Sequence, residues 1–199
     1  MIEVQGLVRD YEGIRALDGV SFAVGAGEVF GFIGPNGAGK TTTIRILATL
    51  LEPTEGRAAI GGHDVVHEPE QVRAMIGYMP DTFGVYDGVT VREYLDFFAA
   101  AHRVPRRERR RVIEQVMDLT DLGGLRDRGV AELSKGVRQR LGLARTLVHD
   151  PAVLLQLRSI TPTTLLVCSC NSKPPRPPKP CHGDIVASAW QWLKNTGQL

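Results

Sequence analysis

The sequence predicts an α/β fold with an antiparallel β portion at the N-terminus and a run of helices in its middle. Three observations carry this. The stretches "IEVQGLV" and "VSFAV" alternate apolar and polar residues in short runs separated by Asp, Gly and Glu, the pattern of a meander of half-buried strands. "EVFGFIG" is then continuously apolar, as a strand covered on both faces would be, and leads into a glycine-rich loop. Beyond the loop Ile44, Leu47, Ala48 and Leu51 recur at i, i+3, i+4 and i+7, so the chain leaves it as an amphipathic helix.

The remaining elements follow in order. "EPTEG" is a turn, "RAAIGG" a short strand, and "RAMIGYMP" a helix end running into another strand. Thr90 and Glu93 have the spacing of a capping box before Val91, Tyr94, Leu95 and Phe98, which share a helical face. A second helix is expected from about Arg106, carrying Val112, Ile113, Val116 and Leu119 inward. In "ELSKGVRQRLGLARTLV" Ser134 is the expected N-cap of a third, with Val137, Leu141, Ala144 and Val148 along one side. "AVLL", Ala152 to Leu155, reads as a buried strand, and "KPPRPPKP" from Lys173 favours polyproline II and builds no core.

With 199 residues and 43% hydrophobic content the chain can bury a sizeable core. Its formal charge of +2 is too small to argue for nucleic acid. The charge is uneven: Met1 to Leu155 holds 19 Lys and Arg against 21 Asp and Glu, a net of −2, and the rest holds 5 against 1, a net of +4. All three cysteines and both tryptophans lie after Leu155, and every Phe and Tyr lies before it. Such a division predicts two pieces of different character. With no secretory signal pattern and no run of 18 apolar residues, a cytosolic chain that reaches a membrane only through a partner is expected.

"GPNGAGKTT" comprises Gly34, Pro35, Asn36, Gly37, Ala38, Gly39, Lys40, Thr41 and Thr42 and matches the phosphate-loop pattern G-x-x-x-x-G-K-[ST]. The glycines let successive backbone N–H groups turn toward one anion, and the helix N-terminus adds about half a positive charge. Lys40 would reach the β- and γ-phosphates, and Thr41 Oγ would hold Mg²⁺. The string is not G-x-G-x-x-G, which disfavours a dinucleotide fold.

"LSKGVRQRLGLARTLVHDP", Leu133 to Pro151, narrows the choice: it resembles the signature segment and following helix of ABC transporter ATPases, written LSGGQxQR. Leu133, Ser134, Gly136, Gln139 and Arg140 match, while Lys135 replaces a Gly and Val137 a Gln. The resemblance implies a P-loop NTPase core with an N-terminal antiparallel β portion and a helical subdomain. It also implies ATP and Mg²⁺ as cofactors, a transmembrane permease as partner, and a head-to-tail homodimer or heterodimer of ATP-binding domains. In that dimer Leu133, Ser134, Lys135, Gly136 and Val137 would meet the nucleotide held by the other subunit. Tyr11 stands where the family stacks an aromatic on adenine, and Asp81, closing "IGYMPD", where it has the Q-loop glutamine that touches Mg²⁺ and the partner. The "YMPD" and "LSKG" variants resemble export-type members.

The family's strand after the signature helix ends in Asp then Glu, which bind Mg²⁺ and polarise the attacking water. Here Gln156, Leu157, Arg158 and Ser159 follow Leu155, and His182 lies too far beyond a proline block to be the family's switch histidine. No catalytic residue is therefore assigned. The expected organisation is a partial ATP-binding domain over 1–155, with its helical subdomain at about 88–147, and an atypical, irregular tail over 156–199. The C-terminal part reads as truncated or replaced, by a shifted reading frame, a chimeric terminus or divergence, which would leave Ala152 to Leu155 as a sheet edge. The expected function is the ATP-binding subunit of an exporter, peripheral on the inner face of the cell membrane, binding nucleotide weakly and impaired in hydrolysis. The alternatives are a non-catalytic binding or regulatory remnant, or another P-loop NTPase class. A GTPase lacks support because no Asn-Lys-x-Asp motif occurs. "RRERRR" from Arg106 is interrupted by Glu108 and reads as a solvated helix start, and the histidines and the tail's Cys and His lack metal-ligand spacing.

Overall fold

Strand β1 (Ile2–Tyr11) turns through Glu12 and Gly13 into β2 (Ile14–Val24), and the two pair antiparallel from Ile2↔Val24 to Tyr11↔Ile14. The alternation read from the sequence holds only in part. Register shifts between Val4 and Leu7 mark an irregularity of the kind a bulge makes, and both residues end up buried although they stand three apart. The computed structural model describes residues 1–80, 84, 86–158 and 164–169. Within them the chain divides into two compact units, one of Met1 to Pro80 with Pro151 onward, the other of the residues from Gly84 to Asp150.

In the first unit the chain continues through β3 (Val29–Ile33), helix α1 (Lys40–Leu47), β4 (Glu55–Ile60), β5 (His63–Asp64), α2 (Pro69–Met75) and β6 (Ile76–Met79), and returns as β7 (Val153–Arg158) and β8 (Thr164–Ser169). One sheet has the order β2-β1-β4-β5, the other β3-β8-β7-β6. Strands β6 and β7 run parallel, and β8 runs antiparallel to both β7 and β3. Ile2, Leu7, Ile44, Ile46, Leu47, Ile60, Val153 and Leu155, from both sheets and α1, form one core and are fully buried. Each such side chain contributes about 1.5–3 kcal/mol by leaving water.

Two expectations are corrected here. Strand β7 is not an edge, because Thr164–Ser169, in the stretch expected to be irregular, pairs along its whole length from Val153↔Ser169 to Arg158↔Thr164. Strand β3 is not covered on both faces. It is itself an edge of its sheet: Phe30 and Phe32 pack with Phe22 at ring-centroid distances of 4.9–5.1 Å, while Val29 and Ile33 are 55% and 79% exposed. A continuous apolar run cannot reveal which of its faces finds a cover.

The second unit is helical. The capping box at α3 (Val91–Ala101) is formed: the Thr90 hydroxyl accepts from the Glu93 amide, and the Glu93 carboxylate accepts from the Thr90 amide at 2.9 Å. Helix α4 (Arg106–Leu119) buries Ile113, Val116 and Met117, and α5 (Lys135–Leu147) buries Leu141, Ala144 and Leu147. These three helices pack on one another. Val112 and Leu119 are only partly buried, and Met117 is buried in addition. No helix among the described residues is long and apolar enough to cross a membrane.

Candidate nucleotide-binding site

The loop Gly34 to Thr42 leaves the end of β3 and closes on the first turn of α1. Its backbone is pinned at Gly39, the N-cap residue, which takes a left-handed conformation with φ of 77°. A Cβ built there would lie 2.3 Å from Leu17 Cδ2 and 2.6 Å from the Ala16 carbonyl oxygen, so strand β2 presses directly on the loop. Only glycine satisfies both demands. On the far side the Thr43 amide and hydroxyl both donate to the Gly39 carbonyl, at 2.9 and 3.0 Å.

Lys40 is the charged centre of the loop. Its side chain is 8% exposed, and its Nζ donates to the Gly34 carbonyl at 2.7 Å and also to the Pro35 carbonyl. The ammonium is thus held under the loop by the carbonyls that the turn points inward. No acidic residue lies in the first turn of α1, so nothing offsets the positive end of the helix dipole. The amides of Lys40, Thr41 and Thr42 belong to that first turn and have no acceptor within the helix. Thr41 is exposed, in the position to meet a ligand rather than the core. Lysine, helix end and open amides together make a positive, donor-rich loop suited to a polyphosphate.

Tyr11 ends β1 at 38% exposure, with the Arg9 guanidinium carbon 4.7 Å from its ring centroid. Arg9 Nη1 also donates to the Glu52 carbonyl at 3.0 Å, which fixes the guanidinium over the ring. Sequence reading passed over Arg9, although its place two residues before Tyr11 on a strand was the available signal. Asp81 lies outside the described residues.

In the second unit Leu133 is buried and Ser134 caps α5, its hydroxyl accepting from the Val137 amide at 3.4 Å. Lys135 and Gly136 are exposed, and Val137 is partly buried. A Cβ at Gly136 would meet nothing within 4 Å among the described residues, so nothing in them requires glycine there.

At the C-terminal end of β7 the register sets Gln156 in rank with Leu166 and Gly31, and Arg158 in rank with Thr164 and Ile33. That end of β7 therefore lies at the same end of the strand ladder as the start of the phosphate loop, two strands away, or about 10 Å. No acidic residue occupies it. Among the described residues no group of three or more His, Cys, Asp or Glu could hold a metal ion.

Strand, glycine loop and helix start, with a buried lysine beneath the loop, place the protein in the class of P-loop α/β proteins. The family model described as ABC transporter matches residues 17–156, and the chain belongs to that family. It is 44% identical over 156 residues to the daunorubicin resistance ATP-binding protein DrrA2 of Streptomyces coeruleorubidus, covering 77% of this chain and 48% of that one. Among solved structures it resembles the ATP-binding subunit of an ABC transporter, with TM-score 0.69, 29% identity and coverage of 78% of this chain and 65% of the other. It also resembles MJ0796, a bacterial ABC transporter cassette solved as a dimer, with TM-score 0.68, 26% identity and coverage of 78% and 73%. The chain spans about half the length of the curated relatives it matches, or less.

Proposed function

We propose that this chain binds Mg-ATP at Gly34 to Thr42 as the ATP-binding subunit of an ABC-type exporter, at the inner face of the membrane on a transmembrane permease. The observation that carries this reading is the buried Lys40 ammonium under a loop whose conformation Gly39 fixes. Lys40 would engage the β- and γ-phosphates, Thr41 and Asp81 would serve Mg²⁺, and Tyr11 would stack on the base. Magnesium, when bound, would neutralise charge between the phosphates. The drug-resistance name of the DrrA2 relative favours export over import.

The segment Leu133 to Val137 would meet the nucleotide of a second ATP-binding domain. Glycine in a helix costs roughly 1 kcal/mol relative to alanine, and at Gly136 no contact among the described residues demands it. A site reserved for close approach by another subunit accounts for that residue. Hydrolysis is a separate matter. Residues 156 to 159 offer no carboxylate to hold a metal or polarise water, so turnover is expected to be strongly impaired while binding persists in weakened form. In domain terms, 1–155 acts as a partial ATP-binding domain with a helical subdomain at about 88–147, and 156–199 as an atypical tail.

Titration with a fluorescent ATP analogue, alongside phosphate release at saturating Mg-ATP, tests both halves. Measurable affinity without turnover is the expected result. Turnover like that of an intact transporter would remove the hydrolytic part, and absence of binding would remove the whole reading.

A further inference from the structure

The proposed function leaves unused the basic run at the start of α4. Arg103, Arg106, Arg107, Arg110 and Arg111 are all exposed, and the last four stand at i, i+1, i+4 and i+5 on one side of the helix. Glu108 reaches only Arg107, at 3.5 Å, and Arg109 turns away to donate to the Val104 carbonyl at 2.9 Å. Among the described residues Arg103, Arg106, Arg110 and Arg111 have no carboxylate partner. The first two turns of α4 expose no large apolar side chain, because Val112, which is partly buried, is their one apolar residue.

We infer that this patch binds the anionic headgroups of a lipid bilayer directly, as an electrostatic contact of the ATP-binding subunit in addition to any contact through a permease. Charge alone would favour any polyanion, and two features favour the bilayer over nucleic acid. Apart from these five arginines, residues 84 to 150 hold 8 Lys and Arg against 10 Asp and Glu, a net of −2, so the rest of the helical unit adds no basic excess, and no aromatic side chain is interleaved among these arginines to stack on bases. Five arginines within two turns and the preceding loop match a few lipid phosphates on a flat surface. With nothing apolar to insert, the contact is peripheral and screened by salt.

The test is co-sedimentation of the full chain with phosphatidylcholine vesicles, with and without phosphatidylglycerol, at low and high salt. Binding is expected only with the anionic lipid and should be lost at high salt. Replacing Arg106→Gln, Arg107→Gln, Arg110→Gln and Arg111→Gln together should lower partitioning by about fivefold per arginine. Affinity for the fluorescent ATP analogue, unchanged in that variant, reports that it has folded. Equal binding to neutral vesicles, salt-resistant binding, or a quadruple variant that binds as the parent does would each overturn the inference. So would duplex DNA that holds the chain more tightly than vesicles at equal phosphate. A chain that binds vesicles but not ATP would sink the proposed function and leave this inference standing.

Discussion

Helices α1 and α5 both begin where a phosphate is expected, and each has a glycine at its start, but the two glycines answer to different forces. Gly39 is held by its own fold: φ is positive, and Leu17 and the Ala16 carbonyl fill the place of a side chain. Gly136 faces open space in the first turn of α5. A site built within one chain imposes its glycine through intramolecular contacts. The proposed completion of the α5 site by another chain leaves Gly136 without a reason among the described residues of the single chain.

The largest effect that would sharpen this contrast is Gly39→Ala. A left-handed alanine costs roughly 1–2 kcal/mol, and displacement of β2 adds to it, so a loss of at least about 2 kcal/mol in urea-unfolding free energy is expected. Gly136→Ala should be neutral or stabilising by up to about 1 kcal/mol in the same measurement. Equal losses at the two positions would break the comparison.

Next in size is Lys40→Met. Removing a charge-assisted contact to phosphate of about 1.5–3 kcal/mol should weaken ATP-analogue binding by roughly 10- to 100-fold. The buried ammonium also holds the Gly34 and Pro35 carbonyls, so thermal unfolding must be measured beside it. A large drop in stability with no loss of affinity would make Lys40 a prop of the loop instead of a ligand.

Ser134→Ala should have a smaller effect. An N-cap of this type is worth about 1 kcal/mol, and the 3.4 Å separation from the Val137 amide places this one at the weak end. A loss of about 0.5 kcal/mol in unfolding free energy, without change in nucleotide affinity of the isolated chain, is the expected outcome. A change in affinity of the monomer would mean that α5 touches the nucleotide of its own subunit.

Much of this contrast could be read from the residues themselves, because the phosphate loop, the Thr90–Glu93 box and the Ser134 cap are local devices whose partners lie within a few positions. What could not be read was non-local. The pressure of Leu17 on Gly39, the fixing of Arg9 by the Glu52 carbonyl and the order β3-β8-β7-β6 all depend on pairings between distant segments. "TLLVC" is an apolar run like many others, and only its partners on both sides make it an interior strand. Likewise "EVFGFIG" has the composition of a doubly covered strand, yet Val29 and Ile33 remain exposed because only the opposite face of β3, with Phe30 and Phe32, is covered.

The smallest effect concerns the opposite end of α5, where the ring of His149 stacks on that of His102 at 3.8 Å and 4°. Burial, and secondarily the Arg145 charge, hold the His102 pKa below its ordinary value. Since free imidazole titrates at about 6.5, the unfolded chain takes up this proton at a higher pH than the folded chain does. The unfolded state then binds more protons in the window below about 6.5, and stability falls as pH drops through it. The His102 ring keeps part of its surface in solvent, so the slope should be shallow. His102→Phe keeps an aromatic ring against His149 and cannot titrate. Urea midpoints of the two proteins across pH 5 to 7.5 should converge at the high end, with the parent falling more steeply toward the low end; parallel curves would remove His102 as the source.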